Sequence, residues 1–184
     1  INEEKEIITL LPGSRSQEIN SMLPIFLTLK KHFSNYEFIV AGVKNVNQSV
    51  YQPALNRNVK VVYNQTYDLL SHSKIAIVAS GTASLECALF NVPQIVCYKT
   101  SSISYFIGKS FVNISFISLV NIILKKVVVK ELIQNDLTEK KLVKELSNLL
   151  SDDGISNILN EYSKIYTMLS IKETSKKIVT SIIS

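Results

Sequence analysis

The sequence predicts an α/β fold, a Rossmann-like domain of three layers with a parallel sheet, followed by C-terminal helices. Short runs rich in Val, Ile and Leu alternate with segments of helical periodicity, a pattern typical of parallel sheets covered on both faces. The tail beyond residue 154 keeps the helical spacing and contains no further strand-like run. We therefore expect an α/β domain over residues 1–152 and a helical extension over residues 153–184.

The predicted strands are apolar runs that end at turn-forming residues. In the first of them, residues 7–11, Pro12 and Gly13 stop the strand, and apolar residues at helical spacing follow. Pro24 falls inside that helical pattern, so we expect it to kink the helix or to displace its start. Asp152-Asp153-Gly154 separates the last helix of the domain from the tail, which we expect to form two helical pieces. Further strands are predicted at residues 37–42, 59–63, 75–79 and 94–98, and helices within residues 48–57, 67–71, 103–111 and 138–150.

The turn after the first predicted strand, which we call the Gly13 turn (residues 12–15), has the features of an anion-binding site. Ser14 and Gln17 fit the capping-box pattern of a helix start. Arg15 then lies in the first helical turn, where the helix dipole disfavours a cation by up to ~1 kcal/mol. A bound oxyanion would reverse that preference, because a guanidinium pairs with oxyanions. The alternative is an arginine that faces solvent.

A second turn, the Gly81 turn (residues 80–82), follows the apolar run at residues 75–79 and precedes a helix. Backbone N–H groups at a helix start have no partners within the helix and attract anions. Gly81 lets a ligand approach the backbone, and Ser80 and Thr82 add hydroxyl groups. Glu86 lies one helical turn after Thr82, where its carboxylate can accept hydrogen bonds from sugar hydroxyls. The alternative role for Glu86 is to complement the helix dipole, which is worth ~0.3–1 kcal/mol.

The two turns follow strands of one predicted parallel sheet, and ligands of such sheets bind beyond the carboxyl ends of the strands. Two anion-binding turns at one edge therefore predict a site for a nucleotide or a sugar phosphate. The net charge of +5 is consistent with an anionic partner. No block of five or six basic residues occurs, and the aromatic residues are not interleaved with Arg or Lys, which argues against nucleic acid as a partner.

Cysteine and histidine usage predicts neither a metal site nor a cofactor. Cys87 and Cys97 lie in apolar segments, and we interpret them as small buried residues in a reducing compartment. His32 and His72 are isolated in the sequence. No apolar run reaches the ~18–20 residues that a membrane-spanning helix requires. The chain opens with Ile and reaches a strand within a few residues, so we expect it to be a piece of a longer protein.

Four short motifs of turn-forming and polar residues occur in order along the chain. They are Leu11-Pro12-Gly13-Ser14-Arg15, the segment from Ala79 to Glu86, Ser118-Leu119-Val120-Asn121 and Lys130-Glu131-Leu132-Ile133-Gln134. Together with Val96-Cys97-Tyr98-Lys99 at the expected strand, they resemble the C-terminal half of the lipid-A-disaccharide synthase family. Members of that family are glycosyltransferases with two Rossmann domains, the GT-B fold. Val120 departs from the proline expected before Asn121, which should affect loop geometry more than chemistry.

The resemblance implies an inverting transfer from UDP-2,3-diacylglucosamine to 2,3-diacylglucosamine 1-phosphate, which forms the β-1,6 disaccharide of lipid A and releases UDP. It implies that residues 1–152 bind the nucleotide sugar without a metal or another cofactor. The Gly13 turn with Arg15, together with the Gly81 turn, would hold the diphosphate, and Arg15 would assist its departure. Glu86 would bind the ribose hydroxyls. Asn121, Glu131 and Gln134 would lie near the diphosphate or the donor sugar.

The resemblance also implies that this chain lacks part of the enzyme. The acceptor site and the general base are expected in an N-terminal half, so no catalytic residue is assigned here and the chain alone is expected to be inactive. The implied setting is cytoplasmic, peripheral to the inner membrane of a Gram-negative bacterium, with the membrane surface and a second copy of the chain as further partners. Two alternatives stay open: another GT-B glycosyltransferase or a sugar-nucleotide epimerase, and a non-enzymatic nucleotide-binding module.

Overall fold

The computed structural model describes residues 5–99 and 116–183, with side chains described through residue 169. Its strands are β1 (Ile7–Leu11), β2 (Glu37–Gly42), β3 (Lys60–Tyr63), β4 (Ser73–Ala79), β5 (Gln94–Tyr98) and β6 (Lys130–Ile133). Within the described residues they form one parallel sheet in the order β3-β2-β1-β4-β5-β6. This is the strand order of doubly wound nucleotide-binding domains, and it confirms the predicted fold class.

Helices connect the strands and cover the sheet. They are α1 (Ser16–Phe26), α2 (Gln52–Leu55), α3 (Thr66–Ser71), α4 (Ala83–Leu89), α5 (Leu119–Leu124), α6 (Glu139–Leu149) and α7 (Asp152–Ile183). Short 3₁₀ turns cover Leu27–Lys31, Gln48–Tyr51 and Gln134–Asp136. The predicted helices within residues 48–57, 67–71 and 138–150 are thereby confirmed. The predicted helix at residues 103–111 lies outside the described residues.

The core lies on both faces of the sheet, which explains why the strand sequences are apolar throughout instead of alternating. All five side chains of β1 are buried. Ile8 and Leu10 pack into the larger apolar cluster, whereas Ile7 and Leu11 pack into a second cluster. Because successive side chains of a strand point to opposite faces, the two clusters are the two interfaces of a three-layer domain.

The start of α1 differs from the predicted capping box. The N-cap residue is Arg15, not Ser14, and the side chain that reaches back to the N-cap backbone is Glu18, not Gln17. Pro24 does not displace the start of the helix, because α1 begins eight residues before it, at Ser16. The α-helix ends two residues after Pro24 and continues as the 3₁₀ turn Leu27–Lys31.

The region after β5 contains a strand that the sequence did not indicate. β6 pairs in parallel with β5 along the edge of the sheet, with Glu131 opposite Val96. Lys130 and Glu131 interrupt the apolar pattern, and an edge strand tolerates such residues because one of its sides lacks a partner strand. Its carboxyl end lies at the same edge of the sheet as the ends of β1 and β4.

The tail forms one helix of 32 residues instead of two pieces. Gly154 lies in its first turn, and the break from α6 falls at residues 150 and 151. Tyr162 and Ile165 of α7 are fully buried against the domain. The domain boundary at residue 152 stays a prediction. Within the described residues, no helix is both long enough and apolar enough to cross a membrane.

Candidate functional site

The Gly13 turn and the Gly81 turn lie side by side because β1 and β4 are neighbours in the sheet. The two strands run parallel, with Leu11 opposite Val78, so the chain leaves both strands at the same edge. The two turns line a cavity of about 380 Å³, which we call the rim cavity. Its lining includes these residues singled out from the sequence: Gly13, Ser14, Arg15, Ser80, Gly81, Thr82 and Glu86.

The Gly13 turn is occupied by a carboxylate of the protein itself. Glu18 Oε2 accepts hydrogen bonds from the backbone N–H groups of Ser14 and Arg15, at 3.0 and 3.2 Å. Glu18 Oε1 lies 3.5 Å from Nη1 of Arg15. Gly13 has a φ of +119°, and a Cβ there would lie 2.5 Å from Glu18 Oε2, so the position requires glycine. Two N–H groups of the turn that the sequence predicted to bind an anion therefore bind the carboxylate of Glu18.

Glu18 is the residue of the site that the sequence analysis missed. The sequence feature that indicates Glu18 is a capping box shifted by one residue, with an acidic side chain three positions after the N-cap residue. Arginine at the N-cap concealed the pattern, because a guanidinium offers no acceptor to the helix N–H groups. The Arg15 side chain is 82% exposed. The Arg15 side chain is therefore not fixed by close packing and can move towards a ligand.

The Gly81 turn, in contrast, is open. Gly81 has a φ of +150°, and among the described residues, its chain neighbours aside, no atom lies within 4 Å of the place where a Cβ would be. Within the described part of the chain, no backbone carbonyl accepts a hydrogen bond from the N–H of Gly81, Thr82 or Ala83. Thr82 is the N-cap residue of α4 and its side chain makes no capping hydrogen bond. These N–H groups are available to an oxyanion.

Two serine hydroxyls hold the Gly81 turn against the segment before α5. Ser80 Oγ donates to the carbonyl of Ile117 at 3.0 Å. Ser84 is fully buried, and its Oγ donates to the carbonyl of Gly81 at 2.8 Å and accepts from the N–H of Leu119 at 3.2 Å. In this conformation the hydrogen of Ser80 is directed at the protein, which leaves the oxygen lone pairs of Ser80 for a ligand donor.

Glu86 lies between the rim cavity and a second cavity. The second cavity, about 390 Å³ in volume, is lined by residues 64–68 and Glu86, and we call it the side cavity. Glu86 is half-buried, and among the residues that the structure describes no hydrogen bond or ion pair engages its carboxylate. Tyr67 lines the side cavity, and its ring stacks on that of Phe90 with a centroid distance of 5.3 Å.

Asn121 and Glu131 bind each other and the backbone. The amide of Asn121 is fully buried: it accepts from the N–H groups of Val128 and Val129 and donates to Glu131 Oε1 at 2.8 Å. Its second N–H donates to the carbonyl of Val129. Glu131 in turn accepts from the N–H groups of Ile117 and Ser118, at 3.0 to 3.2 Å. The pair thus fixes the segment that holds Ser80 and Ser84.

Asn121, Glu131 and Gln134 do not line the rim cavity within the described residues. Gln134 follows β6 with a φ of +51°, an unusual backbone conformation for a residue other than glycine. The structure therefore brings seven of the ten predicted site residues together at one cavity. The predicted contacts of the other three with a diphosphate or a sugar stay predictions.

Cysteines and histidines lie away from the rim cavity. Cys87 and Cys97 are fully buried, as the sequence predicted, and burial raises the pKa of both thiols. His32 pairs with Glu139 at 2.8 Å, at the start of α6. In the described ranges, no group of three or more His, Cys, Asp or Glu side chains is arranged to hold a metal ion.

Comparison with known sequences gives one consistent family. A family model described as lipid-A-disaccharide synthetase matches residues 1–182. The lipid-A-disaccharide synthase of Francisella philomiragia is 34% identical over an alignment of 188 residues, and the match covers 97% of this chain and 49% of that protein. The synthase of Persephonella marina is 35% identical over 124 residues, which cover 61% of this chain and 33% of that protein. The chain thus spans a third to a half of the length of these relatives.

Solved structures with a similar fold include an epimerase, a rhamnosyltransferase and a glycosyltransferase. The UDP-GlcNAc 2-epimerase from Neisseria meningitidis, bound to UDP-GlcNAc, aligns with a TM-score of 0.57 at 18% identity, over 94% of this chain and 45% of that one. The spinosyn rhamnosyltransferase SpnG aligns with a TM-score of 0.59 at 12% identity, over 90% and 42%. The calicheamicin glycosyltransferase CalG4 gives 0.58 at 12% identity, over 94% and 42%. At these identities the likeness concerns the fold alone, which is that of one half of a GT-B enzyme.

Proposed function

The chain belongs to the lipid-A-disaccharide synthase family, and we propose that it is the part of such a glycosyltransferase that binds the nucleotide-sugar donor. The donor would be UDP-2,3-diacylglucosamine and the acceptor 2,3-diacylglucosamine 1-phosphate. Transfer with inversion at the anomeric carbon would give the β-1,6 disaccharide of lipid A and UDP. The fold supports a donor-binding role, because the rim cavity lies beyond the carboxyl ends of parallel strands, where such domains bind nucleotides.

The position of Glu86 between two cavities is the observation that carries the proposal. A nucleoside diphosphate has its ribose between the diphosphate and the base. With the diphosphate at the two turns of the rim cavity, the ribose falls beside Glu86, whose carboxylate has no donor among the described residues and can accept two hydroxyl hydrogens. The base then enters the side cavity next to the Tyr67 ring.

The Gly81 turn and Arg15 would stabilise the UDP as it leaves the donor sugar. Cleavage of the anomeric bond leaves negative charge on the UDP and an oxocarbenium-like sugar. Open N–H groups at a helix start and a guanidinium stabilise such a charge where it develops. Arg15 is the one basic side chain among the described residues that line the rim cavity. We therefore assign the diphosphate to the space between the two turns, against the open N–H groups of the Gly81 turn, with Arg15 folding over it from its exposed position.

The proposed partners of the chain are a second Rossmann domain, a membrane surface and a second copy of the chain. The general base and the acceptor site would come from a second Rossmann domain, so the chain alone would bind donor without transferring the sugar. The enzyme would act as a peripheral protein on the cytoplasmic side of the inner membrane of a Gram-negative bacterium, where its acylated substrates would be held. The net charge of +5 favours contact with an anionic lipid surface. A homodimer is the other proposed assembly.

Calorimetric titration of the 184-residue chain with UDP, UDP-GlcNAc and ADP tests the donor-binding proposal. We expect both uridine nucleotides to bind more tightly than ADP. Equal or tighter binding of ADP would contradict the proposal. A chain that binds pyrophosphate but shows no preference among the nucleotides would restrict the site to phosphate recognition.

A further inference from the structure

Glu18 occupies the Gly13 turn as an anion would. A single carboxylate oxygen, Oε2, accepts from the N–H groups of Ser14 and Arg15, while the other lies 3.5 Å from the Arg15 guanidinium. A phosphoryl oxygen makes the same kind of contacts with N–H groups at a helix start. Glu18 therefore holds the contacts that the proposed ligand needs from this turn.

The charge of the rim cavity determines how the Glu18 carboxylate in the Gly13 turn affects the binding of an anion. Among the described residues that line it, the ionisable side chains are Arg15, Glu18 and Glu86, which together carry a net charge of −1. A diphosphate brings further negative charge into the same space. Like charges at close range repel strongly where water is partly excluded. Binding is favoured if the Glu18 carboxylate leaves the turn.

Within the part of the chain that the structure describes, these contacts are the hydrogen bonds and the ion pair that hold the Glu18 carboxylate in place. The Glu18 side chain is 29% exposed and that of Arg15 is 82% exposed. An ion pair this exposed contributes little, since solvent and salt screen it. Rotation of the Glu18 side chain into solvent requires no change in the core, because the contacts that hold it are the two N–H groups and the guanidinium.

We propose that Glu18 is an internal competitor for the phosphate-binding groups of the Gly13 turn and thereby sets the affinity of the site for polyphosphates. This inference rests on the proposed function, since it requires that a diphosphate enters the rim cavity. When the ligand arrives, it takes the N–H groups of Ser14 and Arg15 and pairs with the guanidinium. The Glu18 carboxylate moves to solvent. A more highly charged ligand competes better, so the turn selects diphosphates over singly charged anions.

Pyrophosphate titration of the Glu18→Gln variant tests the inference. Glutamine keeps an acceptor oxygen for the helix start but removes the charge, so pyrophosphate should bind about tenfold more tightly than to the parent chain. The matched control is Glu139→Gln, which removes a carboxylate from the first turn of α6, outside the rim cavity. Its pyrophosphate affinity should equal that of the parent. Unchanged or weaker binding by Glu18→Gln would overturn the inference.

A second variant separates competition from helix capping. Glu18→Ala removes both the charge and the acceptor, so it should lose stability as an uncapped helix does. Pyrophosphate should nevertheless bind to it at least as tightly as to Glu18→Gln. A loss of affinity in Glu18→Ala, measured on folded protein, would make Glu18 a support of the turn and not its competitor.

Backbone ¹⁵N–¹H spectra distinguish failure of this inference from failure of the donor-binding proposal. Competition predicts that pyrophosphate shifts the amide signals of Ser14 and Arg15, and that Glu18→Gln shifts them before any ligand is added. If UDP binds preferentially and moves the Gly81 and Thr82 signals alone, the donor proposal stands and the Glu18 inference is wrong. If Glu18→Gln gains affinity for pyrophosphate while UDP and ADP bind equally, the Glu18 inference stands and the donor proposal is wrong.

Discussion

The hydroxyl of Tyr162 on α7 accepts a hydrogen bond from Nε2 of Gln94 on β5 at 2.9 Å and donates to the carbonyl of Val92 at 3.3 Å. Nε2 of Gln94 also donates to the carbonyl of Ser84 at 2.8 Å. Both side chains are fully buried. The tail helix is therefore joined, through one buried amide, to the helix that begins at the Gly81 turn.

Tyr162→Phe should lower the free energy of unfolding by about 1–3 kcal/mol, because it leaves a buried N–H of Gln94 without an acceptor. Tyr166→Phe is the matched control on the same helix. Its hydroxyl donates to the carbonyl of Leu89 at the exposed surface, where water can replace it. The control should stay within about 0.5 kcal/mol of the parent. Urea unfolding measures both, and equal losses would contradict the special role of the buried hydroxyl.

Asn121→Ala should be among the costly polar substitutions in the chain. It leaves the N–H groups of Val128 and Val129 without their acceptor and removes one of the donors to Glu131 Oε1. Each buried group left unsatisfied costs about 1–3 kcal/mol, so we expect a loss of about 2–4 kcal/mol in urea unfolding. Asn56→Ala, which removes one exposed contact with Gln52, should cost less than about 0.5 kcal/mol. A small loss for Asn121→Ala would imply that water replaces its hydrogen bonds.

The strands of the fold could be predicted because a strand that is buried on both faces has an uninterrupted apolar sequence. This feature is visible without knowledge of the tertiary structure. Residues 75–79 are apolar without interruption, which predicts a buried strand of a parallel sheet, and the structure has β4 there, between β1 and β5. β6 could not be predicted in the same way. Lys130 and Glu131 are tolerated there because β6 lies at the edge, and the edge position depends on how the other strands pair.

The two turns could be predicted from local chemistry, but the occupant of the Gly13 turn could not. Whether Glu18 points to solvent or back to Ser14 depends on the φ of Gly13 and on an N-cap residue with no acceptor. The partners of Asn121 and Glu131 lie on three separate segments of the chain, so their mutual contact follows from the fold and not from spacing.

Cys87 and Cys97 should be unreactive in the folded chain. Burial raises the pKa of both thiols, so the neutral form persists at pH values where an exposed cysteine begins to ionise, and the thiolate is the reactive form. Labelling with a chromogenic disulfide reagent near pH 8 should therefore proceed only as fast as the chain opens. In concentrated guanidinium chloride both thiols should react at once. Rapid labelling of the native chain would contradict the burial of these residues.

Arg15→Ala should lower turnover far more than stability, measured in a synthase that contains this chain. The side chain is 82% exposed, so the unfolding free energy should change by less than about 0.5 kcal/mol. A charged hydrogen bond to the departing diphosphate is worth about 1.5–3 kcal/mol, which corresponds to one to two decades in rate. Arg57→Ala, an exposed arginine bonded to the carbonyl of Pro53, is the control and should leave turnover unchanged. Equal turnover in both variants would mean that Arg15 only faces solvent.

Glu86→Gln separates ribose binding from a role in the helix dipole. If Glu86 accepts two ribose hydroxyl hydrogens, the amide presents an N–H₂ group where an acceptor is needed. The affinity for UDP should then fall by about 1–3 kcal/mol, while the melting temperature without ligand hardly changes. If the carboxylate acts only on the dipole of α4, stability should fall by a few tenths of a kcal/mol and the affinity for UDP should not change. Calorimetry and thermal unfolding measure the two quantities.

Pyrophosphate is the decisive second ligand for the Glu86 variant, because it carries the diphosphate without a ribose. It should bind Glu86→Gln at least as tightly as the parent, since a negative charge has been removed from the rim cavity. Glu145→Gln, on α6 and paired with Lys130, controls for the change in net charge. A loss of pyrophosphate affinity that matches the loss for UDP would mean that Glu86 acts on the Gly81 turn. The ribose would then have to bind elsewhere along the rim cavity, and the path of the base into the side cavity would no longer follow.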